Sequence, residues 1–164
     1  MKVLTKPYGE MEIDERQRVR FPLGIFGFED LRDFALLDAA QPPFYWLQSL
    51  ERADIAFVLI DPLFFRPDYS PDVDASELAE IGITTPEDML LLAIVTVPGD
   101  SSRMTANLQG PIVINRLTHV GRQSISPNPR WGIRHVILEE LALVQNAARS
   151  GSQNAARSSL RQGA

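Results

Sequence analysis

Short runs of β-branched and aromatic residues, each closed within a few positions by proline or glycine, limit what this chain can fold into. Phe34-Ala-Leu-Leu37, Phe44-Tyr-Trp-Leu47 and Ile55-Ala-Phe-Val-Leu-Ile60 are apolar runs of strand length. Turn formers bound them at Gln41-Pro-Pro43, Ser49 to Asp54 and Asp61-Pro62. Met11-Glu-Ile13 and Arg18-Val-Arg-Phe21 alternate polar with apolar residues, the period of a strand buried on one face. Leu90 to Val97 is a further run, stopped by Pro98-Gly99-Asp100, and Thr105 to Leu108, Ile112 to Asn115 and His119 to Ile125 complete the series. Many short strands with such punctuation predict an antiparallel sandwich or barrel.

Helical signals are few. Asp74-Ala-Ser-Glu-Leu-Ala-Glu80 reads as a two-turn helix with an Asp cap and early acids that suit the helix dipole. Thr85-Pro-Glu-Asp88 reads as a capped turn with proline at its first position. Val136, Ile137, Leu141, Val144 and Ala148 recur at spacings of three and four within an amphipathic helix. Beyond it, Gln145-Asn-Ala-Ala-Arg-Ser150 repeats as Gln153-Asn-Ala-Ala-Arg-Ser158, with no large apolar residue to order it by burial. The expected organisation is one mostly β domain over residues 1–140, a small antiparallel β-barrel-like unit with one or two short helices. A helix end and a flexible low-complexity tail follow over residues 141–164.

A chain of 164 residues suits a single domain. It buries roughly 70% of the surface its unfolded chain exposes, enough to fold without a metal or a disulfide. It contains no cysteine, so neither a disulfide framework nor a thiolate zinc site can form. The N-terminus lacks the long apolar core of a signal peptide, and runs such as Met89 to Val97 are too short to cross a bilayer. A soluble cytoplasmic protein is expected, without membrane contact. The net charge of -5 opposes phosphate, so direct nucleic-acid binding is not expected; an acidic chain is instead steered toward a basic protein.

No catalytic constellation stands out. There is no Gly-x-Ser-x-Gly elbow, Walker loop or Gly-x-Gly-x-x-Gly. The two histidines, His119 and His135, are not spaced as a metal pair, and each fits a structural hydrogen-bonding role. Gly24-Ile-Phe-Gly27 is filled with bulky apolar residues where phosphate would need open amides. It reads as a tight turn packing Ile25, Phe26 and Phe28, or as an exposed apolar patch for a partner. The expectation is a protein that is not an enzyme and carries no cofactor or metal.

Two segments carry the functional reading. Asp61 to Asp88 holds eight acids against one base, Arg66, interrupted by four prolines. The closely spaced carboxylates lack the register of a calcium loop. They form either a solvated face or a docking surface for a basic partner, and Phe64, Phe65 and Tyr69 favour docking because aromatic anchors ringed by charge mark interfaces. The second segment is Asn107-Leu-Gln-Gly-Pro-Ile-Val-Ile-Asn115, which has no reactive side chain. Pro111 belongs at a strand start or edge. Ile112 and Ile114 then face one side and Val113 and Asn115 the other. Asn107 and Asn115 are expected to fix the backbone at either end, shaping the barrel.

Taken in order, these blocks resemble the flagellar assembly factor FliW family. Val19-Arg-Phe-Pro-Leu-Gly-Ile-Phe-Gly-Phe-Glu-Asp-Leu31 is similar to the family's opening signature. Phe44-Tyr-Trp-Leu-Gln-Ser49, Ala56-Phe-Val-Leu-Ile-Asp-Pro62, Pro67-Asp-Tyr69, Asn107 to Asn115, Gly121-Arg-Gln123 and Arg134-His135 follow in sequence. Gly110 stands where family members often carry alanine, so a left-handed turn is not required there. The resemblance implies a monomeric, β-barrel-like, non-enzymatic regulator with two protein partners. One is flagellin, held before export through its C-terminal helical region. The other is the carbon storage regulator CsrA, an RNA-binding repressor of flagellin translation that freed FliW antagonises allosterically. On this resemblance Asp68, Tyr69, Asp72, Asp74 and Glu77 are expected on the CsrA-facing surface, and an apolar groove is expected for flagellin.

Overall fold

The computed structural model describes the backbone of residues 1–162 and the side chains of residues 1–149. Strands β1 (Lys2–Thr5) and β2 (Gly9–Glu12) form a separate hairpin in the register Lys2 to Glu12. The remaining strands are β3 (Arg18–Arg20), β4 (Asp33–Asp38), β5 (Phe44–Ser49), β6 (Ala56–Ile60), β7 (Met89–Thr96), β8 (Thr105–Ala106), β9 (Ile112–Asn115), β10 (Gly121–Gln123) and β11 (His135–Val136). They form one nine-stranded antiparallel sheet whose main path runs β10-β9-β7-β6-β5-β4-β3. The long strand β7 pairs with β9 through Met89 to Leu92 and with β8 through Val95 and Thr96, and β11 extends β8. The helices are α1 (Ala75–Glu80) and α2 (Ile137–Gln162).

The sheet curls until its two ends meet at a single point. The Arg20 amide donates to the His119 carbonyl at 3.0 Å, and Arg20 makes an isolated parallel bridge with Val120. The result is the barrel-like, mostly β fold with an open seam rather than a closed ladder. Alternation along the strands sets its layers. Phe21, Phe34, Leu47, Leu59, Leu92, Ile112 and Ile114 fill the interior, with Phe21 edge-on to Phe34 at 5.3 Å. Each such side chain contributes roughly 1.5–3 kcal/mol by leaving water. The opposite side of the sheet has two covers. Phe65, Tyr69, Trp131 and Ile137 lie over Ile60, Ala93 and Val95. The β1–β2 hairpin places Val3, Met11 and Ile13 against Ala35, Leu37 and Trp46.

Local chemistry explains where the elements differ from the sequence pattern. The run from Thr105 to Leu108 shortens to two strand residues because the Asn107 side chain diverts the chain. Its Oδ1 accepts from the Gln109 amide at 3.1 Å and the Gly110 amide at 2.9 Å. His119 leaves the extended region altogether, with φ at +60°, so β10 begins only at Gly121. In the Gly24–Gly27 turn Ile25 is buried and Phe28 packs edge-on to Phe57 at 5.1 Å. Phe26, expected to pack with them, is 51% exposed. Gly24 has φ at +69°, and a Cβ there would lie 2.5 Å from the Glu29 backbone. The backbone of α2 stays helical through Gln162, beyond the end at Ala148 marked by the apolar spacing. Of the expected tail over residues 141–164, the side chains from residue 150 onward, the second repeat at Gln153 to Ser158 among them, lie outside the described residues.

Candidate partner-binding surfaces

The acidic segment is a strap across the outer face of the sheet, and its aromatics do not all point outward. Asp61 caps the turn Pro62–Phe64 through the Leu63 amide at 3.0 Å, which leaves Leu63 and Phe64 about half exposed, at 49% and 47%. Phe65 is fully buried and Tyr69 nearly so. The Tyr69 hydroxyl donates to the Leu108 carbonyl at 2.6 Å, its ring stands edge-on to Trp131 at 4.9 Å, and burial pushes its pKa up. As side-chain contacts for a partner, Phe65 and Tyr69 are therefore corrected. A strap of this length needs apolar anchors into the domain, and these two supply them. Phe64 remains, joined by Leu63, which charge-and-aromatic counting passed over.

The acids divide in the same way. Asp68 bridges Arg66 at 3.0 Å and Arg130; chiefly the Arg66 guanidinium holds its carboxyl below the usual carboxylate range. Arg66 also reaches Glu140 at 2.6 Å, and Glu140 accepts from His135 Nδ1 at 3.0 Å. The guanidiniums of Arg66 and Arg130 lie over the Trp131 ring at 4.7 and 4.9 Å. A chain of charges thus wraps the buried indole and fastens the strap to the start of α2. Glu77 and Glu80 pair with Arg122 at 2.9 and 2.5 Å, pinning α1 to β10. Glu77 is half-buried in that pair and is removed from the freely available set. Asp72, Asp74 and Glu87 are exposed and have no basic partner among the described residues. Asp72 has φ at +52° and accepts from Asn128 Nδ2 at 3.1 Å. Asp74 caps α1 through the Ser76 amide at 2.9 Å, which lowers its pKa.

A second surface lies between the two covers of the sheet. An open groove of about 550 Å³ is lined by Tyr8, Phe44, Trp46, Val58, Val97 and Met104. Its floor is the outer face of β5 and β6, left bare between the hairpin and the strap.

The Asn107–Asn115 segment is built into the barrel wall. Gly110 does not adopt positive φ, and a Cβ there would sit tightly, 3.0 Å from Gln123 Nε2, which donates to the Gly110 carbonyl. Pro111 opens the strand, and its carbonyl accepts from the Ser124 amide at 3.0 Å. Ile112 and Ile114 enter the interior, whereas Val113 packs with Ile81 and Ile83 on the other face. Asn115, 2% exposed, donates to the Ile81 carbonyl at 2.8 Å and accepts from the Leu117 and Thr118 amides at 2.9 and 3.2 Å.

The histidines part company. His135 accepts from the Gly132 amide at Nε2, 2.8 Å away, so its Nδ1 carries the proton that faces Glu140. The His119 ring makes no hydrogen bond with any described residue, so it lacks the orienting partner that a general base requires. Among the described residues no group of three or more His, Cys, Asp or Glu is arranged to hold a metal ion. No helix among them is long and apolar enough to cross a membrane.

The open-seamed antiparallel barrel braced by the Asn107–Asn115 wall has counterparts among known proteins. A family model described as FliW protein matches residues 2–137, ending where α2 begins. The chain belongs to the FliW family of flagellar assembly factors. The flagellar assembly factor FliW of Leptospira interrogans is 47% identical over 145 residues, covering 87% of this chain and 97% of the relative. That of Treponema denticola is 42% identical over 141 residues, covering 86% and 96%. A crystal structure of the flagellar assembly factor FliW superposes with a TM-score of 0.76 at 39% identity, over 84% of this chain and 96% of that one.

Proposed function

We propose that this chain is a non-enzymatic, cytoplasmic, monomeric regulator that binds flagellin before export and, once freed, binds CsrA and relieves its repression of flagellin translation allosterically. One observation carries the reading: Asp72, Asp74 and Glu87 stand exposed, with no basic partner among the described residues, in the same strap that carries the half-exposed pair Leu63 and Phe64. A protein that holds RNA presents cations for phosphate, so CsrA complements that acidic apron, and the apolar pair supplies an anchor. Asp68 and Glu77 contribute at the rim while paired. The groove over Phe44, Trp46 and Val58 suits the apolar face of a helix, the form of the flagellin C-terminal region. Family membership supports a role in flagellar assembly.

The test is complex formation by the purified chain with flagellin and with CsrA from the same source. Two separable binary complexes are expected, with no RNA shift by the chain alone at physiological salt. Failure to bind either protein overturns the proposal. Loss of flagellin binding in Trp46→Ser, with CsrA binding retained, assigns the groove.

A further inference from the structure

His119 is the residue that the regulatory reading leaves without a role, and it stands at the seam of the barrel. Asn115 and Arg20 fix it on both sides: its amide donates to the Asn115 carbonyl at 2.9 Å, and its carbonyl accepts from the Arg20 amide at 3.0 Å. The backbone between is held at φ +60°, a conformation that costs a non-glycine residue energy and persists only where its surroundings enforce it. This strained turn places the histidine on the lip of a cavity of about 310 Å³ at one end of the barrel. Such a volume is at the small end of ligand pockets, about 300–1,000 Å³.

The floor is the exposed end of the interior core. Val19, Leu36, Leu90 and Ile114 supply its apolar part, with Leu36 and Leu90 the more exposed of the four, while Gln17 joins the charged groups in its polar part. The charged lip is sparse. Arg16 is engaged along one edge by Asp14, at 3.4 Å from Nε and 3.2 Å from Nη2. Arg116 has its Nε turned to the Met89 carbonyl at 3.3 Å, which orients the guanidinium and leaves its terminal amino groups without a hydrogen bond to any described residue. Asp38 contributes one carboxylate with no cationic partner among the described residues. A single available guanidinium, a single available carboxylate and a small aliphatic floor thus open onto one cavity.

We propose that this open end of the barrel binds a small aliphatic α-amino acid as its zwitterion. Arg116 takes the carboxylate through the fork geometry that suits two oxygens, with the His119 ring beside it. Asp38 takes the ammonium, and the branched side chain covers Leu36, Leu90, Val19 and Ile114. A simple fatty acid leaves Asp38 unanswered, and an amine leaves Arg116 so. The site is separate from the acidic strap and the apolar groove, and it stands or falls independently of the proposed partners.

Titration of the full chain with L-leucine, 4-methylpentanoate and 3-methylbutylamine, followed calorimetrically or by chemical-shift changes at His119, tests it. Leucine is expected to bind saturably and about tenfold or more tighter than either half-analogue, because each analogue leaves one charge without its partner. Arg116→Gln and Asp38→Asn, both on the lip, are each expected to weaken leucine about tenfold. Asp38→Asn should not weaken 4-methylpentanoate, and loss of a neighbouring negative charge should if anything tighten it. Absence of saturable leucine binding, a half-analogue that binds as tightly as leucine, or leucine binding indifferent to both substitutions overturns the proposal.

Discussion

The Asn107–Asn115 wall and the Asp61–Asp88 strap are both polar-rich, turn-rich segments, yet they use their polar groups in opposite ways. In the wall, the Asn107 and Asn115 side chains are engaged with backbone amides and carbonyls of their own neighbourhood. In the strap, Asp68, Glu77 and Glu80 are bound by arginines that arrive from β10, the following loop and the strap itself, whereas the exposed Asp72, Asp74 and Glu87 have no basic partner among the described residues. Charge density along the sequence is therefore a poor measure of charge density on the surface. A buried amide signals shape, and an acid becomes a recognition element only when no distant arginine claims it.

Substitutions test the contrast between wall and strap at several points. The strongest is Trp131, fully buried and flanked by both arginines of the strap network. Trp131→Ala is expected to destabilise the fold by about 3–5 kcal/mol in urea unfolding. It should also free the strap for proteolysis between Asp61 and Asp74, whereas a fold indifferent to it would mean that the strap is not anchored there. Asn115→Ala leaves the buried Ile81 carbonyl and two turn amides without partners, and about 1–3 kcal/mol is expected to be lost by the same measurement. A smaller effect follows from acid. Arg66 depresses the Asp68 pKa, so the pair stabilises the fold fully above the ordinary carboxylate pKa of about 3.9 and loses this as pH falls through the lowered value. Because Asp68 is 41% exposed, the contribution stays below about 1 kcal/mol. A titration of Asp68→Asn against the parent between pH 2 and 7 (about the range spanned by carboxylates) should show the two stabilities converge at the acid end.

The strand pattern was legible because period-two alternation and Pro/Gly stops are local properties. Phe34, Leu47, Leu59 and Leu92 fell inside expected runs and face the interior. The hairpin strand β1 escaped notice because Lys2-Val-Leu-Thr5 is mostly exposed and shows no strong alternation. The candidate surface was half legible. The acids and Phe64 could be found by composition, but Phe65 and Tyr69 differ from Phe64 only in which way the strap turns. The capture of Glu77 by Arg122 joins residues 45 positions apart. The groove over Trp46 could not be seen at all, since its boundaries are set by where the hairpin and the strap stop covering the sheet.

If the unpaired acids of the strap receive a basic partner, removing their charge slows association, and the structure supplies a clean way to remove it. Asparagine tolerates the left-handed backbone at Asp72 and caps a helix as well as aspartate does at Asp74, so Asp72→Asn, Asp74→Asn and Glu87→Gln together erase three charges with the fold intact. The decisive measurement is the association rate of this triple variant and of the parent with CsrA, taken across ionic strength by stopped flow. The variant should associate roughly tenfold more slowly at low salt, with a shallower salt dependence and an unchanged unfolding midpoint. Equal rates and equal salt slopes for the two proteins would contradict the assignment of the strap as the partner surface.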